Sequence, residues 1–94
     1  MDVLESKVVT SGQSQKTWIT FSLISNLLDI KHIGIRNVYG IHADSHPWNT
    51  TITVPDISTN LDNAKLIFNL LVSNAVYPEH IPEVLEDLLS FQNF

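Results

Sequence analysis

The first part of the chain alternates between apolar and polar residues, which is the pattern of β-strands with one buried face. A first strand is predicted at residues 3–10, followed by a small polar loop, SGQSQ, at residues 11–15. A second strand is predicted at residues 17–24, where β-branched and aromatic residues are frequent. Alternation on this strand predicts a core face with Ile19, Phe21 and Leu23 and an opposite face with Trp18, Thr20 and Ser22.

Residues 25–36 follow neither the strand period nor the helix period. Ser25 is a candidate cap for a short helical turn, whereas Ile30, Ile33 and Ile35 fit neither pattern. We therefore predict a loop or a helical turn with a short extended exit.

Two further strands follow this undecided segment. One is predicted at residues 37–43, with Gly40 at its centre marking a bulge or a close backbone approach. Turn-forming residues at 44–49 then predict a turn. The last strand is predicted at residues 50–54, where Pro55 ends it because proline has no N–H for a sheet ladder.

The second part of the chain has the apolar period of amphipathic helices. A first helix is predicted at residues 60–75, with Asp62 favouring its N-terminus and Asn74 permitting a left-handed turn at its end. A second helix is predicted to have Pro82 in its first turn and to run to about residue 91. The predicted inward residues are Leu61, Ala64, Ile67, Phe68, Leu70, Leu71, Val72 and Ala75 in the first helix, and Ile81, Val84, Leu85, Leu88 and Leu89 in the second.

Strands followed by helices indicate the α+β class. We predict a three- to four-stranded antiparallel sheet, N-terminal in the chain, with two C-terminal helices packed on one face. A length of 94 residues with 44% apolar side chains fits a single domain spanning the whole chain.

Charge and composition exclude several classes of function. Residues 1–47 contain equal numbers of basic and acidic side chains, whereas residues 48–94 contain one lysine against six acids. The five basic residues are scattered, so binding to nucleic acid or to an anionic membrane surface is disfavoured. The chain has no cysteine, so disulfides and zinc-thiolate sites are excluded. It has no apolar run long enough to span a membrane and no signal-peptide pattern, so we expect a cytoplasmic protein.

The strongest candidate for chemistry is the cluster His42, Asp44 and His46, whose spacing on a strand would direct two imidazoles and a carboxylate to one side. The following Pro47 and the turn-forming residues predict that the strand ends near Ala43, so that the three side chains diverge as ordinary surface residues. We therefore expect no catalytic residues, no cofactor and no bound metal, with these three residues as the metal alternative.

Our leading hypothesis is a non-enzymatic protein-interaction or regulatory module, with homodimer formation as one form of that interaction. An antiparallel sheet with helices on one face leaves the other face for a protein partner, and Trp18 and Thr20 lie on it. One alternative is a metal-dependent enzyme or ligand binder that uses the histidine cluster. Another is an acidic antitoxin-like or immunity-like protein that binds a basic partner through Glu83, Glu86 and Asp87.

Several short segments resemble an uncharacterised family of small proteins from low-GC Gram-positive bacteria. The segments are VPDIST at residues 54–59, Asn69, PEHIPEVLEDLL at residues 78–89, and YGI at residues 39–41. The resemblance covers roughly the C-terminal half, and residues 22–36 look like an insertion relative to that family. It implies a fold and a bacterial cytosolic setting, and no activity.

Overall fold

The computed structural model describes residues 2–11, 17–47 and 49–92, so most of the predicted SGQSQ loop lies outside the described residues. The elements are β1 (Asp2–Ser11), β2 (Thr17–Ile30), β3 (Gly34–His46), β4 (Thr51–Ser58), α1 (Leu61–Ser73), a 3-10 turn (Pro78–His80) and α2 (Ile81–Gln92). The strands form one antiparallel sheet in the order β1-β2-β3-β4. The predicted α+β class, with an antiparallel sheet followed by two helices, is confirmed.

Alternation along β2 divides the sheet into two faces, as predicted. Ile19, Phe21 and Leu23 are fully buried and belong to one core cluster with buried residues of both helices. We call the face that carries these three residues the helix-side face. The opposite face, which carries Trp18 and Thr20, is called the open face, although Ser22 and Ile24 on it are buried, with 8% and 0% exposure. Burying a large apolar side chain stabilises the fold by about 1.5–3 kcal/mol, so the helix-side face is the main source of stability.

Helix α1 begins after Asn60, whose side-chain oxygen accepts a hydrogen bond from the Asn63 N–H at 3.1 Å. This contact satisfies one of the N–H groups that a helix start leaves free. The predicted inward stripe is correct for Ala64, Ile67, Phe68 and Leu71, which are buried. It is wrong for Leu70, which is 40% exposed because it lies at the edge of the apolar stripe and faces away from the sheet.

The C-terminal end of α1 has the hydrogen bonds of a Schellman motif. The Val76 N–H donates to the Leu71 carbonyl, and the Ala75 N–H donates to the Val72 carbonyl. The left-handed residue is Ala75, with φ of 46°. The sequence prediction had assigned this conformation to Asn74, which instead has φ of −97° and is the last residue before the reversal.

Replacing Ala75 with glycine is expected to stabilise the protein by about 0.5–1 kcal/mol, because glycine adopts a positive φ without the steric cost of a Cβ atom. Asn69→Gly is the matched control, since Asn69 is exposed in the middle of α1 and glycine there costs a few tenths of a kcal/mol or more. Thermal unfolding followed by circular dichroism measures both variants. A Tm for Ala75→Gly at or below that of the unmodified chain contradicts the expectation.

Strand β4 continues beyond Pro55, so the prediction that this proline ends the strand is wrong. Tyr39 of β3 pairs with Ser58 of β4, and Ile41 pairs with Val54. An advance of two residues along β3 therefore corresponds to four residues along β4. The extra residues form an irregularity at the edge of the sheet, where a missing N–H is tolerated. The bulge or close approach predicted at Gly40 is confirmed.

Residues 25–36 are neither a loop nor a helical turn, because β2 and β3 pair without interruption from Trp18–His46 to Ile30–Gly34. A short turn joins the strands, in which the Ile33 N–H donates to the Ile30 carbonyl at 3.0 Å. His32 and Gly34 both have positive φ, of 72° and 100°. Pairing of β2 with the adjacent β3 across this turn therefore overrides the weak strand pattern of the segment.

A candidate interaction surface on the β2–β3 arm

Strands β2 and β3 extend beyond their neighbours as a two-stranded ribbon, residues 26–38, which we call the arm. Strand β1 pairs with β2 no further than Ser25, and β4 pairs with β3 only from Tyr39 onward. Among the described residues, both edges of the arm therefore lack a neighbouring strand. At about 3.4 Å per residue, the 14 residues of β2 span most of the 50 Å length of the molecule.

The arm exposes large apolar side chains. Leu27 is 73% exposed and Ile35 is 63% exposed, and alternation from Leu23 places both on the helix-side face. They are diagonal neighbours across the ribbon, so they form one patch. Ile33, in the turn, is 56% exposed, and Leu28, on the open face, is 40% exposed. Such a cluster on a ribbon that contributes little to the core is typical of an interaction site.

Three exposed charged side chains accompany these apolar residues. Asp29 pairs with Ile35 across the ribbon and therefore lies within the apolar patch on the helix-side face. Lys31 is in the turn at the tip of the arm. Arg36 pairs with Leu28, so it is on the open face, and its Nη1 donates to the neighbouring Ile35 carbonyl at 3.0 Å.

A second exposed apolar surface lies on α1. Leu66 is 54% exposed and Leu70 is 40% exposed, and their spacing of four residues places them one above the other on the helix. We call these two leucines the α1 seam. Asp62 is in line with the seam one turn before Leu66, whereas Lys65 precedes Leu66 in sequence and lies about 100° around the helix from it. Both are exposed. The seam points away from the core because α1 buries Ala64, Ile67, Phe68 and Leu71.

Trp18 and Thr20, the residues predicted to meet a partner, lie on the open face at the end of the sheet opposite the arm. Trp18 is 42% exposed and stacks on His46, with ring centroids 5.7 Å apart and an interplanar angle of 25°. Thr20 is half-buried. On the same face, the hydroxyl groups of Ser6 and Ser22 are 2.9 Å apart and hydrogen-bonded.

The predicted divergence of His42, Asp44 and His46 is wrong, because β3 continues to His46 and alternation directs all three side chains to the open face. His42 Nε2 lies 3.1 Å from Asp44 Oδ2, and since a carboxylate only accepts, this nitrogen is the donor. His42 Nδ1 contacts Thr53 Oγ1 at 2.7 Å. Both ring nitrogens are therefore engaged within the sheet.

The carboxylate of Asp44 is also held by Thr51, whose hydroxyl donates to Oδ1 at 2.6 Å. His46, at the end of β3, stacks on Trp18 instead of joining this network. Across the residues that the structure describes, no three histidine or acidic side chains lie close enough together to hold a metal ion. The network links β3 to β4 by side chains as well as by backbone hydrogen bonds.

The acidic candidates Glu83, Glu86 and Asp87 lie on the exposed side of α2, while Ile81 and Leu85 are buried as predicted. The described surface has no concave pocket. None of the described helices is both long and apolar enough to cross a membrane.

The arm is the surface that the sequence reasoning missed, although the sequence contains a signal for it. Leu28 and Ile30 are two residues apart, and so are Ile33 and Ile35, with Gly34 near the reversal. Two short stretches of period two joined by a tight segment with glycine are a hairpin pattern. Ile30 is in β2, Ile33 is in the turn and Ile35 is in β3, which is why neither a single helix nor a single strand accounts for these isoleucines.

Comparison with known proteins identifies a family and no characterised relative. The model of the Family of unknown function (DUF6514) matches residues 1–90, a range that includes the arm as well as the C-terminal half. No curated protein and no solved structure matches the chain. The resemblance to an uncharacterised family is thus confirmed, and the chain belongs to the DUF6514 family.

Proposed function

We propose that this protein is a non-enzymatic protein-interaction module and that the arm is its binding element. The observation that supports this function is the exposure of Leu27 and Ile35, at 73% and 63%, on a ribbon that has no neighbouring strand among the described residues. A two-stranded hairpin is at best marginally stable in water unless a further strand or a packed surface supports it. A protein partner would supply that support.

The backbone of the arm also suits a protein partner. In an antiparallel pair, alternate residues of each strand direct their N–H and C=O groups outward, away from the other strand. The Asn26 side chain at the base of the arm donates to the Pro55 carbonyl of β4 at 3.3 Å. Beyond this contact the arm has no described neighbouring strand on either edge, so these outward backbone groups are available to a partner. The arm therefore offers both backbone hydrogen bonds and an apolar patch.

The arm is a better candidate than the end of the open face near Trp18. Many side chains there already contact one another, as in the Trp18–His46 stack and the His42–Asp44 hydrogen bond. A partner would have to compete with these contacts. By contrast, Leu27 keeps most of its surface in water, so binding it gains apolar burial of about 25 cal/mol per Å² without breaking a hydrogen bond.

Site-specific photo-crosslinking in cells of the source organism tests the proposal. A photoreactive amino acid in place of Ile33, at the tip of the arm, is expected to form one or a few discrete protein adducts. The same amino acid in place of the exposed Glu79, in the 3-10 turn, is the control and is expected to form none. No adduct from the arm, or the same adducts from both positions, contradicts the proposed function.

A second variant separates binding from folding. Leu27→Ser combined with Ile35→Ser in the photoreactive chain is expected to remove the adducts, because the apolar patch is lost. Both side chains are exposed, so the effect on the unfolding transition is expected to be within about 0.5 kcal/mol for each. Circular dichroism and thermal unfolding of the purified variant check that the fold is intact.

A further inference from the structure

We propose that the partner of the arm is a second copy of this chain, with each arm lying across the α1 seam of the other copy. This inference rests on the proposed function, since it requires that the arm binds protein. It adds the identity of the partner, the surface that receives the arm and the symmetry of the complex.

The position of the arm in the sheet makes a reciprocal arrangement geometrically simple. The arm continues β2 and β3, so its helix-side face points in the same direction as the face that carries α1. A two-fold axis parallel to the sheet turns the second copy over and places its α1 on the first copy's arm. The same axis places the second copy's arm on the first copy's α1. Each α1 then lies between its own sheet and the arm of the other copy. The two contacts are identical, so the complex ends at two copies.

The apolar residues of the two surfaces match in number. The arm offers Leu27 and Ile35 as diagonal neighbours on the helix-side face. The α1 seam offers Leu66 and Leu70, one helical turn apart and facing away from the core. All four are at least 40% exposed, and the reciprocal contact removes them from water in each copy.

The charges beside these residues are complementary. Asp29 lies within the apolar patch of the arm, and Lys65, the residue before Leu66, is on the exposed side of α1 about 100° around the helix from that leucine. Lys65 is the single basic residue of residues 48–94, which otherwise contain six acids. Lys31 lies at the tip of the arm, and Asp62 lies one turn before Leu66 of the seam. These two residues have opposite charges. An arm-to-arm contact would instead bring Asp29 towards the same acid of the second copy, which is unfavourable.

Sedimentation equilibrium of the purified full-length chain tests the inference. The expected mass is twice the chain mass of 10.6 kDa, with dissociation on dilution. Leu27→Ser and Leu66→Ser are each expected to raise the dimer Kd about tenfold or more, because each removes an apolar contact that occurs twice in the dimer. Val8→Ser is the control, since Val8 is 65% exposed on β1 outside the contact, and its Kd is expected to change less than about twofold.

A charge exchange tests the pairing of arm and helix directly. Asp29→Lys and Lys65→Asp, made singly, are each expected to raise the dimer Kd about three- to tenfold, because each brings like charges together. The double variant is expected to restore the Kd to within about twofold of that of the unmodified chain. Both residues are exposed, so these variants are expected to fold normally.

Each of three results would overturn the inference. One is a monomeric mass at all concentrations up to about 1 mM, a range that would reveal even a millimolar Kd. Another is a dimer sensitive to Leu27→Ser but indifferent to Leu66→Ser and to the charge exchange, which indicates an arm-to-arm contact. The third is a mass that grows without limit, which indicates an open chain of copies.

The crosslinking experiment separates failure of this inference from failure of the proposed function. An adduct of two copies at Ile33 supports both. An adduct with a different protein, together with a monomeric mass, overturns the second-copy inference and leaves the proposed function standing. The absence of any adduct, together with a monomeric mass, removes both.

Discussion

Replacement of Gly40 by alanine is expected to destabilise the protein by about 3 kcal/mol. A Cβ atom on residue 40 would lie 2.1 Å from the Val54 carbonyl oxygen and 2.6 Å and 2.7 Å from the carbonyl carbon and oxygen of Pro55. All three are backbone atoms, so no side-chain rotation relieves the overlap. The β4 segment at residues 54–55 would have to move away from β3, against the register that pairs Ile41 with Val54.

The displacement is expected to reach the helical layer, which is why the effect is large. The same irregular segment leads to Ile57, a member of the core cluster, and to Ser58, which pairs with Tyr39. The Ser58 hydroxyl accepts a hydrogen bond from the Asn60 N–H at 2.9 Å, and Asn60 caps α1. Movement of β4 therefore disturbs the core and the start of α1 together.

Urea unfolding measures this effect, with Gly34→Ala as the matched control. Gly34 has a positive φ of 100°, but a Cβ atom there would meet no atom closer than 3.9 Å. Alanine at residue 34 is therefore expected to cost about 1–2 kcal/mol of backbone strain and no steric overlap. A loss below about 1 kcal/mol for Gly40→Ala, or one smaller than that for Gly34→Ala, contradicts the expectation.

The parts of the fold that could be predicted from sequence are those in which one element buries one face. The alternation of Ile19, Phe21 and Leu23 indicated the core face of β2 because the helices cover that face alone. The helices were predictable for the same reason, and Pro82 lies in the first turn of α2 as expected. In each case the spacing of apolar residues along the element reveals which side is buried in the fold, because burial on one side requires apolar residues at that spacing.

The arm could not be predicted in this way, because it has no single buried face. Leu27 and Ile35 are on one side of the ribbon, while Leu28 is on the other, so apolar residues occur on both faces. The signal in the sequence is therefore the hairpin pattern around Gly34, and burial of one face gives none. The strand beyond Pro55 was missed for a related reason, since whether proline is tolerated depends on β4 being an edge strand.

The candidate sites also combine features that local spacing predicts with features that depend on the assembled sheet. His42, Asp44 and His46 were singled out by spacing, and whether their side chains share a face depended on where β3 ends. Trp18 and Thr20 were placed on the correct face, but the open face near them is occupied by side-chain contacts within the chain. Exposure of Leu27 is a property of the assembled fold, since this residue lies beyond the part of β2 that belongs to the core cluster.

Truncation of Phe68 to alanine is expected to destabilise the protein by about 3–5 kcal/mol, the largest effect of a single core substitution that we predict. Phe68 is fully buried at the centre of α1, between the sheet and the rest of the helical layer. The ring also lies 6.0 Å below the Lys7 ammonium group of β1. Alanine removes the ring and leaves a cavity that the rigid sheet fills only in part.

Two companion variants make the test specific to packing. Phe68→Leu keeps most of the volume and is expected to cost about 1.5 kcal/mol, so the loss should follow the cavity left behind. Asn69→Ala changes the adjacent exposed residue and is expected to alter the stability by less than about 0.5 kcal/mol.

Urea unfolding at micromolar concentration compares the three variants with the unmodified chain. A loss below about 1.5 kcal/mol for Phe68→Ala contradicts the expectation, because it would mean that the surrounding residues fill the cavity.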